Sequence, residues 1–233
     1  MTEKILTYVA IFLAILIAMP AHEFAHAYVA YKSGDETPKS SGRLTLNPFA
    51  HFDVLGLVML LVARFGWAKP VPINPYNFKH LRRDYFFVSI AGVVMNLILA
   101  FLFYPLFLLA GLYLPIGLDN NFLNLAIELL RLTLLYVFTL NINLFVFNLI
   151  PVFPLDGFRV FEVIFYKKPN NKFMKFLRRY GYVCLLVLLV INWLAEYVPA
   201  LVYVDLFGFL MGIGTSLVSM PIKLFWNWIF GLI

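Results

Sequence analysis

The stretch AHEFAHA, Ala21 to Ala27, sets two histidines four residues apart with a glutamate directly after the first. On a helix, positions i and i+4 share a face one turn apart, so the imidazoles of His22 and His26 can hold one Zn²⁺ between them. In this pattern Glu23 is not a ligand. It is placed to take a proton from the attacking water and to return it to the leaving amine. The bland alternative is a chance match, with both histidines bonded by neighbouring helices. The setting argues against it: Lys4 to Met19 carries no charge after its lysine, so the motif ends an apolar run long enough to enter a bilayer. Ionisable groups there cost on the order of several kcal/mol and mark function.

A catalytic zinc takes three protein ligands and keeps one position open. The remaining histidines, His51 and His80, lie in the polar stretch that follows. A carboxylate candidate is Asp156 in NLIPVFPLDG, Asn148 to Gly157, where Pro151 and Pro154 break a helix and permit irregular backbone beside a cavity. Taken alone, Asp156 reads equally as a turn aspartate at a helix end.

These residues must be held by an unusual chain. Of its 233 residues 63% are hydrophobic and 13% charged, which excludes an ordinary soluble domain and points to an all-α polytopic membrane protein. The net charge of +6 comes from basic residues in short loops, where they orient spans; nucleic acid is not an expected partner. The single cysteine, Cys184, lies in an apolar run and can build neither a disulfide framework nor a cysteine zinc site within one chain. Lys4, the apolar run and the small residues near Ala25 imitate a signal peptide, but a retained span is expected.

Five segments have spanning length: Ile5 to Tyr31, Tyr85 to Leu112, Phe122 to Ile150, Tyr180 to Val198 and Leu206 to Trp226. A sixth, Val54 to Phe65, has 12 residues. That is about 18 Å of helix against about 30 Å of hydrocarbon, suiting a re-entrant segment and giving five to six membrane helices in all. GWAKPVPINPYNF, Gly66 to Phe78, has prolines that forbid a helix interior and predict an extended edge. PIKLFWNWIFGLI near the end suits an interfacial helix. The whole reads as a single membrane domain over residues 1–233, with a core of about 5–165 and C-terminal helices of about 175–233.

HEFAH and NLIPVFPLDG together resemble the site-2 protease family, membrane-embedded zinc metalloproteases with HExxH in one span and NxxPxxPxDG in another. GRLTLNPFAHFD, GWAKPVPINP and AGVVMN extend the likeness to the compact branch without a PDZ domain, over residues 15 to 165. Position by position, the resemblance implies His22, His26 and Asp156 as ligands of one Zn²⁺ and Glu23 as general base and acid. It also implies a transmembrane protein substrate in the lipid bilayer, and leaves room for a separate regulatory membrane protein. Val93 departs from the branch, which usually has proline there in AGPxxN; Asn96 is retained.

If His22 and Asp156 share a metal, the ends of their spans must reach one face, which a re-entrant Val54 to Phe65 allows and six alternating spans do not. The same arrangement gathers 16 of the 18 Lys and Arg residues, all but Lys4 and Arg131, on one face. By the positive-inside rule that face is cytoplasmic, the N-terminus is extracytoplasmic, and the metal lies within the membrane towards the cytoplasm.

Other polar residues have assignable roles. Asn96 and Asn148 are candidates to donate to a substrate carbonyl or oxyanion, with interhelical bonding as the plainer role. The run Pro70, Val71, Pro72, Ile73 is a candidate edge for pairing with an unwound substrate. His51 and Asp53 read as structural, Asn141 and Asn143 as helix packing, and Glu128 with Arg131 as an ion pair. The competing functions are a zinc transporter or channel, in which Glu23 would itself bind or carry ions, and an inactive membrane adaptor.

Overall fold

A computed structural model describes residues 2–53, 55–56, 66, 68–115, 117, 119–165 and 172–232. These residues are helical in the main: α1 (Thr2–Lys32), α2 (Thr37–Ser40), α3 (Pro48–His51), α4 (Leu81–Tyr113), α5 (Asn121–Leu149), α6 (Asp156–Ile164), α7 (Lys172–Ala195) and α8 (Leu206–Ile229). Short 3₁₀ turns occupy Pro75–Asn77 and Pro199–Val204. Among the described residues there is no β-strand, only an isolated bridge between Phe52 and Ala68. The fold is all-α and built for a bilayer, since α1, α4, α5 and α8 are each long and apolar enough to cross one. The run Tyr180 to Val198 forms most of α7, which begins about two turns earlier, at Lys172, and ends at Ala195. Of the short apolar segment Val54 to Phe65 only Leu55 and Gly56 are described; its re-entrant path lies outside the described residues.

The chain divides into two compact units, Met1–Asn141 and Ile142–Ile233, and the boundary falls inside α5. In the first unit α1 pairs with α4. Close approach is possible because α1 buries small residues: Ala10, Ala14, Ala18, Ala21 and Ala25 recur at helical spacing. Ala30, Phe78 and Val88 form a small core with Val29, Ile73 and Tyr85, which seats the proline-rich segment on the end of α1 and the start of α4. Tyr104 of α4 meets Phe138 of α5 with ring centroids 4.8 Å apart.

Arg131 does not serve as the ion-pair partner of Glu128. Its guanidinium donates to the carbonyls of Ala110, Gly111 and Leu114 at 3.0, 2.8 and 2.6 Å, at the C-terminal end of α4. The last carbonyls of a helix have no partner within it, and in a membrane no water replaces one, so a five-donor fork is drawn there rather than to a neighbouring carboxylate.

In the second unit α6 packs Phe158 and Phe161 against Met174 and Leu177 of α7. Asp205 joins α7 to α8: it accepts from Asn192 Nδ2 and from the backbone N–H of Gly208, both at 2.8 Å. Nor does PIKLFWNWIFGLI make a separate interfacial helix. It continues α8 to Ile229 through Pro221. A proline costs one helical hydrogen bond, and the helix accommodates the freed carbonyl without ending.

Candidate metal centre

The two histidines of HEFAH face α4, and each ring is held at its Nδ1 atom. His26 Nδ1 donates to the carbonyl of Val88 at 2.6 Å. A carbonyl can only accept, so a proton of His26 lies on Nδ1, which makes Nε2 the ring nitrogen that could ligate a metal.

His22 reaches the same state through a longer path. Its Nδ1 donates to Asn96 Oδ1 at 2.6 Å, Asn96 Nδ2 donates to Asn141 Oδ1 at 2.7 Å, and Asn141 Nδ2 donates to the Val137 carbonyl at 2.7 Å. The terminal carbonyl orients Asn141, Asn141 orients Asn96, and Asn96 places a proton of His22 on Nδ1, which makes Nε2 the nitrogen that could ligate a metal. Both amides are fully buried, at 0% exposure, where an unmade bond would cost most.

The two Nε2 atoms lie 3.1 Å apart, with the ring planes at 78° to each other. At that separation the two nitrogens either share a proton or flank a cation. Zn–N bonds of about 2.0–2.1 Å at a tetrahedral angle place two ligand nitrogens about 3.3 Å apart, so the pair fits zinc. Space for an ion is kept by Gly92 of α4. A Cβ at this position would stand 2.4 Å from His26 Nε2 and 2.6 Å from His22 Nε2. His22 and His26 are buried, at 8% and 4% exposure, as suits ligands that water must not compete for.

Glu23, next in sequence to His22, is half-buried, and its Oε2 accepts the backbone N–H of Val71 at 3.2 Å. The expected extended segment is present: Lys69 to Asn74 has no helical structure, with Pro70 and Pro72 exposed, Val71 buried and Ile73 half-buried. Lys69 N–H donates to the His51 carbonyl at 2.8 Å. Further on the segment is tied to Asp35, a fully buried carboxylate in the loop after α1. Asp35 accepts from Thr37 N–H at 3.1 Å, Thr37 Oγ1 at 2.6 Å, Asn74 N–H at 2.7 Å and Asn77 Nδ2 at 2.8 Å. Burial works to raise its pKa, but these donors outweigh it and hold the carboxyl below its ordinary range. His51 Nε2 donates to the Thr45 carbonyl at 2.8 Å while its buried Nδ1 has no hydrogen-bond partner among the described residues, and Asp53 accepts from Gly56 N–H at 2.9 Å.

The PLDG residues belong to the second unit. Asp156 is buried and opens α6, where the helix N-terminus favours a carboxylate. Gly157 lets this first turn approach the end of α5, because a Cβ there would meet the Leu149 carbonyl oxygen at 2.3 Å. Asn148 Nδ2 donates to the Leu144 carbonyl of its own helix at 3.1 Å.

Residues 112–188 match the model of peptidase family M50. The "Putative zinc metalloprotease YwhC" of Bacillus subtilis is 43% identical over 185 residues, covering 76% of this chain and 78% of that protein. The chain belongs to peptidase family M50, the site-2 protease family. The likeness of the M50 chain extends to the "Putative zinc metalloprotease Rip2" of Mycolicibacterium smegmatis, 29% identical over 236 residues, 97% of this chain and 85% of the relative. The protein of the same name in Mycobacterium tuberculosis is 32% identical over 171 residues, 69% and 61%. No solved structure matches. As a member of M50 the chain is an integral membrane zinc metalloprotease.

Two positions escaped sequence reasoning. In the sequence Asn141 reads as packing and instead takes part in a relay to His22, while Gly92 is given no role there. The signal for Asn141 was there: a primary amide in the middle of an apolar helix must find partners, and the partners were worth seeking.

Proposed function

We propose that this M50 protein is an intramembrane endopeptidase that hydrolyses peptide bonds of transmembrane or membrane-anchored regulatory proteins, acting in regulated intramembrane proteolysis. The single observation that carries the reading is the pair of Nε2 atoms 3.1 Å apart on one membrane helix, each ring held by an acceptor at Nδ1, with Glu23 next in sequence to His22. His22 and His26 supply two zinc ligands and Asp156 the third. Support for Asp156 comes from its PLDG context and from its burial at the start of a helix. Bound zinc supplies Lewis acidity that polarises the scissile carbonyl and activates water.

The chain's own groups do the remainder. Glu23 takes the proton of the attacking water and delivers it to the leaving amine. The Val71 N–H holds its carboxylate in place for both transfers. A transmembrane substrate arrives as a helix with its carbonyls bonded, so it must be unwound before attack. Pro70 and Pro72 have no N–H, which leaves the edge bearing Val71 and Ile73 as the one that can pair with an extended substrate backbone. Asn96 is committed to orienting His22, so the donor to the substrate carbonyl or oxyanion is Asn148.

Residues 1–233 act as one protease domain in this reading. The N-terminus is extracytoplasmic, the active site lies in the membrane towards the cytoplasm, and a separate regulatory membrane protein can control access. Support for the orientation is the concentration of Lys and Arg on one set of loops.

The test is zinc content and cleavage of a model transmembrane peptide by purified protein in lipid vesicles. Asp156→Ala should lose most of its zinc and its cleavage, and Asn148→Leu should keep zinc while cleavage falls about 10²–10³-fold, the usual worth of an oxyanion donor. Full zinc in Asp156→Ala would remove it from the ligand set.

A further inference from the structure

We propose that Asn141 is a positioning residue that selects which end of the Asn96 amide faces His22, and so selects the His22 tautomer that can bind zinc. The inference rests on His22 being a ligand, as proposed above.

An asparagine amide has nearly the same shape in its two orientations but opposite hydrogen-bonding character. With Oδ1 towards His22, Asn96 requires a proton on Nδ1 and makes Nε2 the ligating nitrogen. Turned over, Nδ2 would face His22, Nδ1 would have to accept, and the proton would move to Nε2, the atom that points at the metal position. Nothing in Asn96 itself makes the choice. The other end of its amide meets Asn141 Oδ1 at 2.7 Å, and Asn141 cannot turn without losing the bond from its own Nδ2 to the Val137 carbonyl, also 2.7 Å. A carbonyl fixed by the fold of α5 is thereby read out, through two buried amides on two helices, as the protonation pattern of an imidazole on a third. His26 needs no such device, since its Nδ1 meets a backbone carbonyl directly.

An acid at position 96 makes the choice irrelevant, because both of its oxygens accept. The experiment is therefore a cycle of zinc affinities, measured by chelator competition on the purified full chain: wild type, Asn141→Leu, Asn96→Asp and the double variant, with His22→Ala as control. Asn141→Leu should weaken zinc about 10–100-fold, the usual cost of losing support behind a metal-bound histidine. Asn96→Asp keeps an acceptor on His22 Nδ1 but sets its other oxygen against Asn141 Oδ1, so adding Asn141→Leu to it should cost nothing further and should relieve that contact. Because the double variant carries the same leucine, its affinity also shows that leucine leaves the fold intact. An equal loss from Asn141→Leu in both backgrounds, or no loss in either, overturns the proposal. A His22→Ala protein with full zinc affinity would instead defeat the ligand assignment itself, whatever the cycle shows.

Discussion

The proposed metal-binding pair and the segment beside it are built on opposite principles. His22 and His26 sit on a membrane helix, pressed against α4 through alanines and a glycine, and each Nδ1 ends on a fixed acceptor. The Pro70–Ile73 run has no regular structure; its Val71 N–H is bonded to Glu23, and the chain just beyond it is tied at Asn74 and Asn77 to Asp35. A metal site needs ligands held to fractions of an ångström, which packed helices and saturated hydrogen bonds provide. A surface for unwound substrate needs unspent backbone groups in an extended shape. Proline supplies the shape by ruling out helix, and by lacking N–H it restricts pairing to one edge.

The largest effect should come from spoiling the close approach on the metal side. Gly92→Ala places a methyl group between the two Nε2 atoms, so zinc and cleavage should both be lost, as metal analysis would show. Gly111→Ala in the same helix is the control: a Cβ there meets nothing within 4 Å, and the variant should behave as wild type. Equal behaviour of the two would mean that α4 does not bound the metal position.

A smaller effect is expected from the proline segment. Val71→Pro removes the N–H that holds Glu23, and Ile73→Pro removes an N–H from the proposed pairing edge. Both should slow cleavage of a helical substrate with zinc content unchanged, Val71→Pro the more. Zinc loss in either would show that segment and metal site are one unit rather than two. Unchanged cleavage in both would remove the segment from substrate handling.

The proposed metal side rests on local patterns, HEFAH and PLDG, that stand in the sequence itself. Its support was not legible there. Asn96 and Asn141 meet across 45 positions, and Val88 contributes a carbonyl that no side-chain motif can announce. Arg131 misled for a related reason. The i,i+3 rule proposes Glu128, whereas the orphan carbonyls ending α4 are visible only once the helices are paired. The proline segment was legible as extended chain, but its fastening to Asp35 depends on a loop turning back after α1.

That fastening gives the mildest prediction. The Asp35 pKa is lowered in the fold, so its contribution is complete above the unfolded-state value and is lost as pH falls through the folded one. Amide exchange at Asn74, whose N–H is bonded to Asp35, should quicken as pH is brought below the ordinary carboxylate range, after correction for intrinsic rates. In Asp35→Asn the same amide should exchange faster at neutral pH and lose that acid dependence, with zinc unaffected. Protection identical to wild type would show that the knot is not what holds the segment.

The most direct measurement is Glu23→Gln, scored for zinc content and for cleavage of a transmembrane peptide in lipid vesicles. Glutamine keeps an oxygen for the Val71 N–H but cannot shuttle a proton. Zinc should remain at wild-type content while cleavage falls by about 10²–10⁴-fold or more, the usual worth of a general acid–base group. Undiminished cleavage, or zinc lost together with it, would contradict the role of Glu23 as proton carrier beside the metal and not ligand to it.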